Sequence, residues 1–253
     1  MFALLKKPLR MKPRSPETIK RAHWVGERAL PLTIKENSRA TRITLRIEPG
    51  GRALNLTVPL GLRKGEIEGF LDRHQGWLAN RLSKFTEENP VRDGGAIPIR
   101  GVSHRIEHTG SLRGITEAAE VNHEPLLRIS GLEDHMGRRL VAFLKKEARK
   151  DLELLVARHA GIIRKPVISI SLKDTRSRWG SCSWDGRLSF SWRIVMAPPS
   201  VIDYLAAHEV AHLQEMNHGP KFWALCKQLC PQMEDARKWL KQNGSQLHAI
   251  DFD

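Results

Sequence analysis

The chain reads as an α+β protein, with a β-rich N-terminal part carrying one helix and a helix-rich remainder holding a small sheet. Three observations lead there. Residues 30–59 alternate apolar and polar with a period of two. Residues 140–155 place apolar side chains at helical spacing over several turns. Pro198-Pro199 stands directly before a second helical repeat, Val201, Ile202, Leu205, Ala206, Val210 and Leu213.

Residues 1–28 hold eight Lys/Arg against Glu17 and Glu27, a net charge of +6, with Pro8, Pro13 and Pro16 and no apolar period. They read as a basic, flexible arm. Residues 29–130 read as a β-rich subdomain. Leu32 and Ile34, then Ile43, Leu45 and Ile47, then Leu54, Leu56 and Val58 mark three strands of a meander, with a turn at Pro49-Gly50-Gly51. Residues 64–85 carry Ile67, Phe70, Leu71, Trp77, Leu78 and Leu82 on one helical face. Residues 97–106 and 126–129 read as further strands, and 114–124 show no pattern. Residues 131–253 form the second domain. Leu140, Leu144, Ala148, Leu152 and Leu155 mark its long helix, with Gly161 as the stop. Residues 167–172 and 187–191 read as strands, separated by a polar loop or hairpin at 174–186. Helices follow over about 200–216, 220–230 and 233–248. No internal repeat or low-complexity tract is present.

The chemistry concentrates in His208-Glu209-Val210-Ala211-His212. Histidines four apart on a helix share a face and can reach one metal ion. The glutamate after the first histidine can be aimed at a water activated by that ion, so the motif supplies two ligands and a general base. Its setting strengthens it. Ser200 with Asp203 three residues on reads as a capping box, and the helix it opens is apolar enough to be buried. Buried His, Glu and His are costly unless they bind something. A catalytic zinc takes three protein ligands. His218, six residues past His212, is the expected third, with Glu215 and Glu234 in reserve. The helix should end near Met216, with Asn217 turning the chain in left-handed geometry ahead of Gly219-Pro220.

Several segments together resemble the YgjP-like metallopeptidase family, a relative of the SprT-type zincins. They are Arg178-Trp179-Gly180-Ser181-Cys182-Ser183, Ala197-Pro198, Asp203-Tyr204 with the H-E-x-x-H run, Asn217-His218 and Phe222-Trp223. The likeness is close over residues 165–245 and looser before them, where Trp77 and the Gly101 region fit. It implies a zincin-like catalytic domain, one zinc per chain on His208, His212 and His218, and Glu209 as base. It also implies an edge strand beside the metal helix, drawn from the strands at 167–172 and 187–191, with Arg176, Arg178 and Trp179 near the cleft. Arg178 would polarise a carbonyl or stabilise an oxyanion, or else tie the loop to the helix. Tyr204 would donate to an oxyanion or simply pack. Where the likeness calls for an asparagine before a Trp/Arg pair, this chain has Ser191.

The 253 residues carry a net charge of +14 and three cysteines. So few cysteines exclude a disulfide framework. Cys226 and Cys230, four apart, read as buried thiols rather than ligands, and Cys182 as packing. Trp179, Trp184, Trp192, Trp223 and Trp239 read as core aromatics. No apolar run spans a membrane or makes a signal-peptide core, so a cytoplasmic protein is expected. The expected function is a zinc-dependent metallopeptidase acting on a peptide or protein. Two rivals remain. A metal-dependent nucleotide phosphoanhydride hydrolase lacks the Gly-rich phosphate loop it would use. A nucleic-acid-associated binding protein, touching polyanions through the basic arm, would not need Glu209.

Overall fold

A computed structural model describes residues 16–83, 90–175 and 178–252. The chain divides into two units, Met1–Lys84 and Phe85–Asp253. The division falls at residue 84 and not near 130, because the second sheet shares a core with the long helix. Ile97, Ile106, Leu127 and Ile129 belong to the same buried cluster as Leu140, Leu144 and Leu152.

The first unit opens on β1 (Thr18–Val25), which forms a hairpin with β2 (Arg28–Asn37). This corrects the reading of residues 1–28 as a flexible arm. Their second half is a strand, while residues 1–15 lie outside the described residues. The strand escaped notice because it is an edge strand with little alternation: Ile19 and Trp24 are exposed, and only Val25 is buried. β3 (Thr44–Ile47) and β4 (Leu54–Pro59) pair antiparallel, as expected, but β4 then lies parallel to β2. The sheet order is β1-β2-β4-β3, so the meander is replaced by a crossover that puts the more apolar β4 in the interior. Leu32, Leu54, Leu56 and Val58 are buried there.

The helix expected over 64–85 is two helices, α1 (Lys64–Arg73) and α2 (Gln75–Leu82). His74 makes the break. Its ring Nδ1 contacts the Phe70 carbonyl oxygen at 2.7 Å, the acceptor its own backbone N–H would use in a continuous helix. That N–H donates to the Leu71 carbonyl instead. Ile67, Leu71, Leu78 and Leu82 are buried, whereas Trp77 is exposed rather than on the apolar face.

In the second unit, β5 (Ala96–Ile99), β6 (Val102–His108), β7 (Glu117–Val121) and β8 (Glu124–Ile129) form a sheet of order β5-β6-β8-β7. β7 falls in the stretch that showed no pattern. It is an edge strand with no buried residue, and Asn122 and His123 turn into β8 with φ of 52° and 64°. α3 (Met136–Ile163) buries Leu140, Leu144, Ala148, Leu152 and Val156. Gly161 lies inside it, and the stop is Arg164, left-handed at φ 54°. A second sheet holds β9 (Ser169–Lys173), β10 (Gly180–Cys182) and β11 (Arg187–Ser191) in the order β10-β11-β9. A 3-10 turn at Trp192–Met196 leads into α4 (Pro199–Ala211), followed by α5 (Pro220–Leu229) and α6 (Met233–Ala249). No helix among the described residues is long and apolar enough to cross a membrane.

The β5–β6 hairpin tip anchors the approach to α4. Arg100 and Gly101 adopt φ of 49° and 79°, and their N–H groups donate to the Val195 and Met196 carbonyls at 2.7 and 3.3 Å. The Arg100 guanidinium grips Asp151 through two bonds of 2.8 Å and Glu147 through a third of 2.8 Å, all on α3. The carboxylates raise the Arg100 pKa, the Asp151 bond most. These groups are partly solvated, which screens the gain. Arg100→Met should therefore cost about 1–2 kcal/mol, seen as a lower urea midpoint at unchanged slope. An unchanged midpoint would remove this clamp from the account.

Candidate metal centre

Helix α4 begins where proline chemistry sets it. Pro198 is extended at ψ 151°, and Pro199 occupies a first-turn position that needs no N–H. The capping box expected from Ser200 and Asp203 does not form, since no side chain caps the helix. Asp203 is buried against α3 instead. It accepts hydrogen bonds from His159 Nε2 at 2.8 Å, from Arg158, and from Gln232 Nε2 at 3.3 Å. Burial alone would raise its pKa, but the His159 bond and the His159 and Arg158 charges outweigh burial and hold it below the usual range.

His208, His212 and His218 come together: one ligand atom from each lies within 4.8 Å of the others. Neither Glu215 nor Glu234 belongs to this group. The Nε2 atoms of His208 and His218 face each other at 3.1 Å. Two nitrogens bound tetrahedrally to one zinc at about 2.0–2.1 Å stand about 3.3 Å apart, so the spacing fits that ion. Such a contact suits either an N–H···N hydrogen bond between neutral tautomers or two lone pairs turned to one cation. Burial first, then the neighbouring His212, His218 and Arg237, push His208 down to about 3. Burial also lowers His212. Both are thus neutral ligands at pH 7.

The outer nitrogens are held. His212 Nδ1–H donates to the Glu215 carbonyl at 3.1 Å, and His208 Nδ1 lies 3.5 Å from the Tyr204 hydroxyl. With Nε2 left to the metal, Nδ1–H of His208 donates to the phenol oxygen. Tyr204 therefore orients a ligand; it is buried, with its own pKa raised to about 12 by burial. Below the rings sits Phe222, fully buried, stacked on His212 at 4.5 Å and edge-on to His208 and His218 at 4.9 and 4.7 Å. Trp223 lies against His218 at 5.5 Å. The Phe-Trp pair thus forms the apolar shell of the site.

α4 ends at Ala211, five residues before the expected stop, and His212 is its cap. The chain then tightens: Leu213, Gln214 and Glu215 N–H groups donate to the carbonyls of Val210, Ala211 and Ala211. Asn217 is not left-handed, and none of residues 212–219 has positive φ. Met216 is exposed on this turn, and His218 is exposed just beyond it.

Glu209 is buried, and burial pushes its pKa up to about 8, with Arg178 pulling the other way. β10 presses on it. A Cβ at Gly180 would lie 2.3 Å from Glu209 Oε1, so only glycine leaves that carboxylate its place. β10 is the sheet's edge strand beside α4, and the strands expected at 167–172 and 187–191 form the same sheet as β9 and β11. At three residues β10 is too short to show a period. Arg178 makes no side-chain hydrogen bond or ion pair among the described residues, and its charge acts on Glu209 of α4. Arg176 lies outside the described residues. Ser191 is fully buried with its hydroxyl unpartnered. Cys226 and Cys230 are buried packing thiols, raised by burial to about 11 and 12, and burial takes half-buried Cys182 to about 11. Trp192 is a core aromatic and Trp179, Trp223 and Trp239 pack at its margin, but Trp184 is 89% exposed.

The chain matches the family described as YgjP-like, metallopeptidase domain, over residues 41–243. It is similar to two crystal structures. One is the metallopeptidase zymogen abylysin of Pyrococcus abyssi, at 18% identity over 36% of this chain and 93% of that one, with a TM-score of 0.31. The other is the metallopeptidase zymogen jannalysin of Methanocaldococcus jannaschii, at 18% identity over 36% and 94%, with a TM-score of 0.33. No curated protein matches the chain.

The raised Glu209 pKa fixes a sign for stability. The unfolded chain releases this proton near 4.5 and the folded one near 8. Between those values the folded state binds more protons, so metal-free protein loses stability as pH rises through that window, and no more above it. Glu209→Gln abolishes the titration. Urea unfolding of the chelator-treated proteins at about pH 5, 7 and 9 should show the variant gaining on its parent across that window. A pH-independent difference would mean that the carboxyl is not buried as described.

Proposed function

The chain belongs to the YgjP-like metallopeptidase family, and on that footing we propose that it is a zinc-dependent peptidase whose general base is Glu209. The observation that carries this reading is the convergence of three imidazoles beside one buried carboxyl. Bound zinc would supply Lewis acidity, making a water more acidic and a carbonyl more electrophilic. His208, His212 and His218 would hold it, with Tyr204 and the Glu215 carbonyl fixing two of the rings. Glu209 takes the proton from the attacking water and passes it to the leaving amine. The unpaired edge of β10 offers main-chain hydrogen bonds to an extended peptide, which would align its scissile bond beside Glu209. Arg178, whose charge acts on Glu209, would stabilise negative charge on the carbonyl oxygen.

Metal analysis together with a panel of peptides and nucleoside triphosphates tests this. Purified protein should hold one zinc per chain, and His208→Ala, His212→Ala and His218→Ala should each lose it. Wild-type zinc affinity in His218→Ala would refute the third ligand. Glu209→Gln should keep zinc and lose hydrolysis by on the order of a hundredfold or more. Near-normal turnover would remove Glu209 from the mechanism, and cleavage of nucleotides but of no peptide would reject the peptidase reading.

A further inference from the structure

Helix α6 carries a cation one aromatic ring away from the histidines. The Arg237 guanidinium carbon lies 4.6 Å from the centroid of the Trp223 ring. Trp223 in turn stands 5.5 Å from the His218 ring and 6.0 Å from the His208 ring. The Arg237 charge reaches the site, where it lowers both His208 and Tyr204.

Arg237 is exposed and makes no hydrogen bond or ion pair among the described residues. An acidic partner is available by spacing. Glu234 lies three residues before it on α6, yet it faces Lys227 on α5 at 3.8 Å. What holds Arg237 is the ring beneath it. Stacking on an indole restrains the guanidinium while leaving its fork of N–H donors open to a planar anion. An arginine restrained in this way, beside the three histidines and without a carboxylate of its own, has its donors free for one.

We propose that Arg237 is the anion-recognising element of the substrate cleft, and that the preferred substrates are peptides with a carboxylate close to the scissile bond. This rests on the peptidase reading above. The carboxylate has two possible sources, an Asp or Glu side chain or the peptide's own C-terminus. Its two oxygens match the guanidinium fork, and a charge-assisted bidentate pair is among the stronger polar contacts.

The test separates recognition from cleavage. Zinc-loaded Glu209→Gln protein is titrated with three fluorescent peptides of one sequence. The first has Glu beside the central bond and an amidated C-terminus, the second Gln and an amidated C-terminus, and the third Gln and a free C-terminus close to that bond. At least one carboxylate-bearing peptide should bind roughly tenfold tighter than the neutral one, and which one identifies the source. Adding Arg237→Met should abolish the preference, and Arg237→Lys should keep part of it. Equal binding of all three peptides overturns the proposal, as does a preference that survives Arg237→Met. Arg237-dependent binding of a nucleoside triphosphate with no preference among the peptides also overturns it. The ratio of kcat/KM for the same peptides is then read with Glu209 intact. Preferential binding without any cleavage would reject the peptidase reading while leaving Arg237 as the anion receptor.

Discussion

Helix α4 is buried on nearly every face and still carries Asp203, His208, Glu209 and His212. Ten of its thirteen residues are buried, two of the ten being acidic. Burying that much apolar surface fixes the helix in place, and the ionisable groups must then be accommodated where they fall. Asp203 does so by gathering donors from α3 and from Gln232. Glu209 has Gly180 at its back and holds a proton more tightly than a solvated carboxyl. Burial lowers the pKa of both histidines, which leaves each a neutral ring with a lone pair. The elements around α4 can be read as answers to those requirements.

Two features outside α4 bring the answers into register. The Arg100–Gly101 hairpin tip docks on the turn before the helix, so the direction of α4 is set before its first residue. After the helix, two tightened turns return the chain within six residues, which puts His218 opposite His208 with no left-handed residue at all. Glu215 serves through its carbonyl, which pins His212.

That His208, Glu209 and His212 share one stretch of chain was legible because their spacing is local. Residues one turn apart on one helix share a face whatever the rest of the chain does. The long helix, α5 and α6 were legible for the same reason. What escaped the sequence depends on partners far along the chain. β1 and β7 are edge strands whose exposed side chains blur any alternation, and β10 is too short for a period. The insertion of β4 between β2 and β3 is a choice among pairings that local pattern does not encode. Asp203 looked like a cap because its spacing from Ser200 suits one, but His159, 44 residues earlier, claims it. Trp184 and Trp77 looked like core because tryptophan usually is, and here both are exposed. Tyr204 had two plausible uses, and only its distance to His208 assigns it to the ligand.

Sulfur surrounds the site unevenly. Cys182, Cys226 and Cys230 hold their protons to about pH 11, 11 and 12. The thiolate is the form that attacks peroxides, and at pH 7 such thiols are ionised to roughly one part in ten thousand or less. The cysteines are thus chemically quiet towards oxidants, however close they lie to the histidines. A thioether needs no ionisation to be oxidised. The exposed one among the described residues is Met216, 48% open to solvent on the short turn between His212 and His218. Peroxide damage at this centre would therefore begin as a sulfoxide on the loop that presents the third ligand, a lesion that methionine sulfoxide reductases reverse.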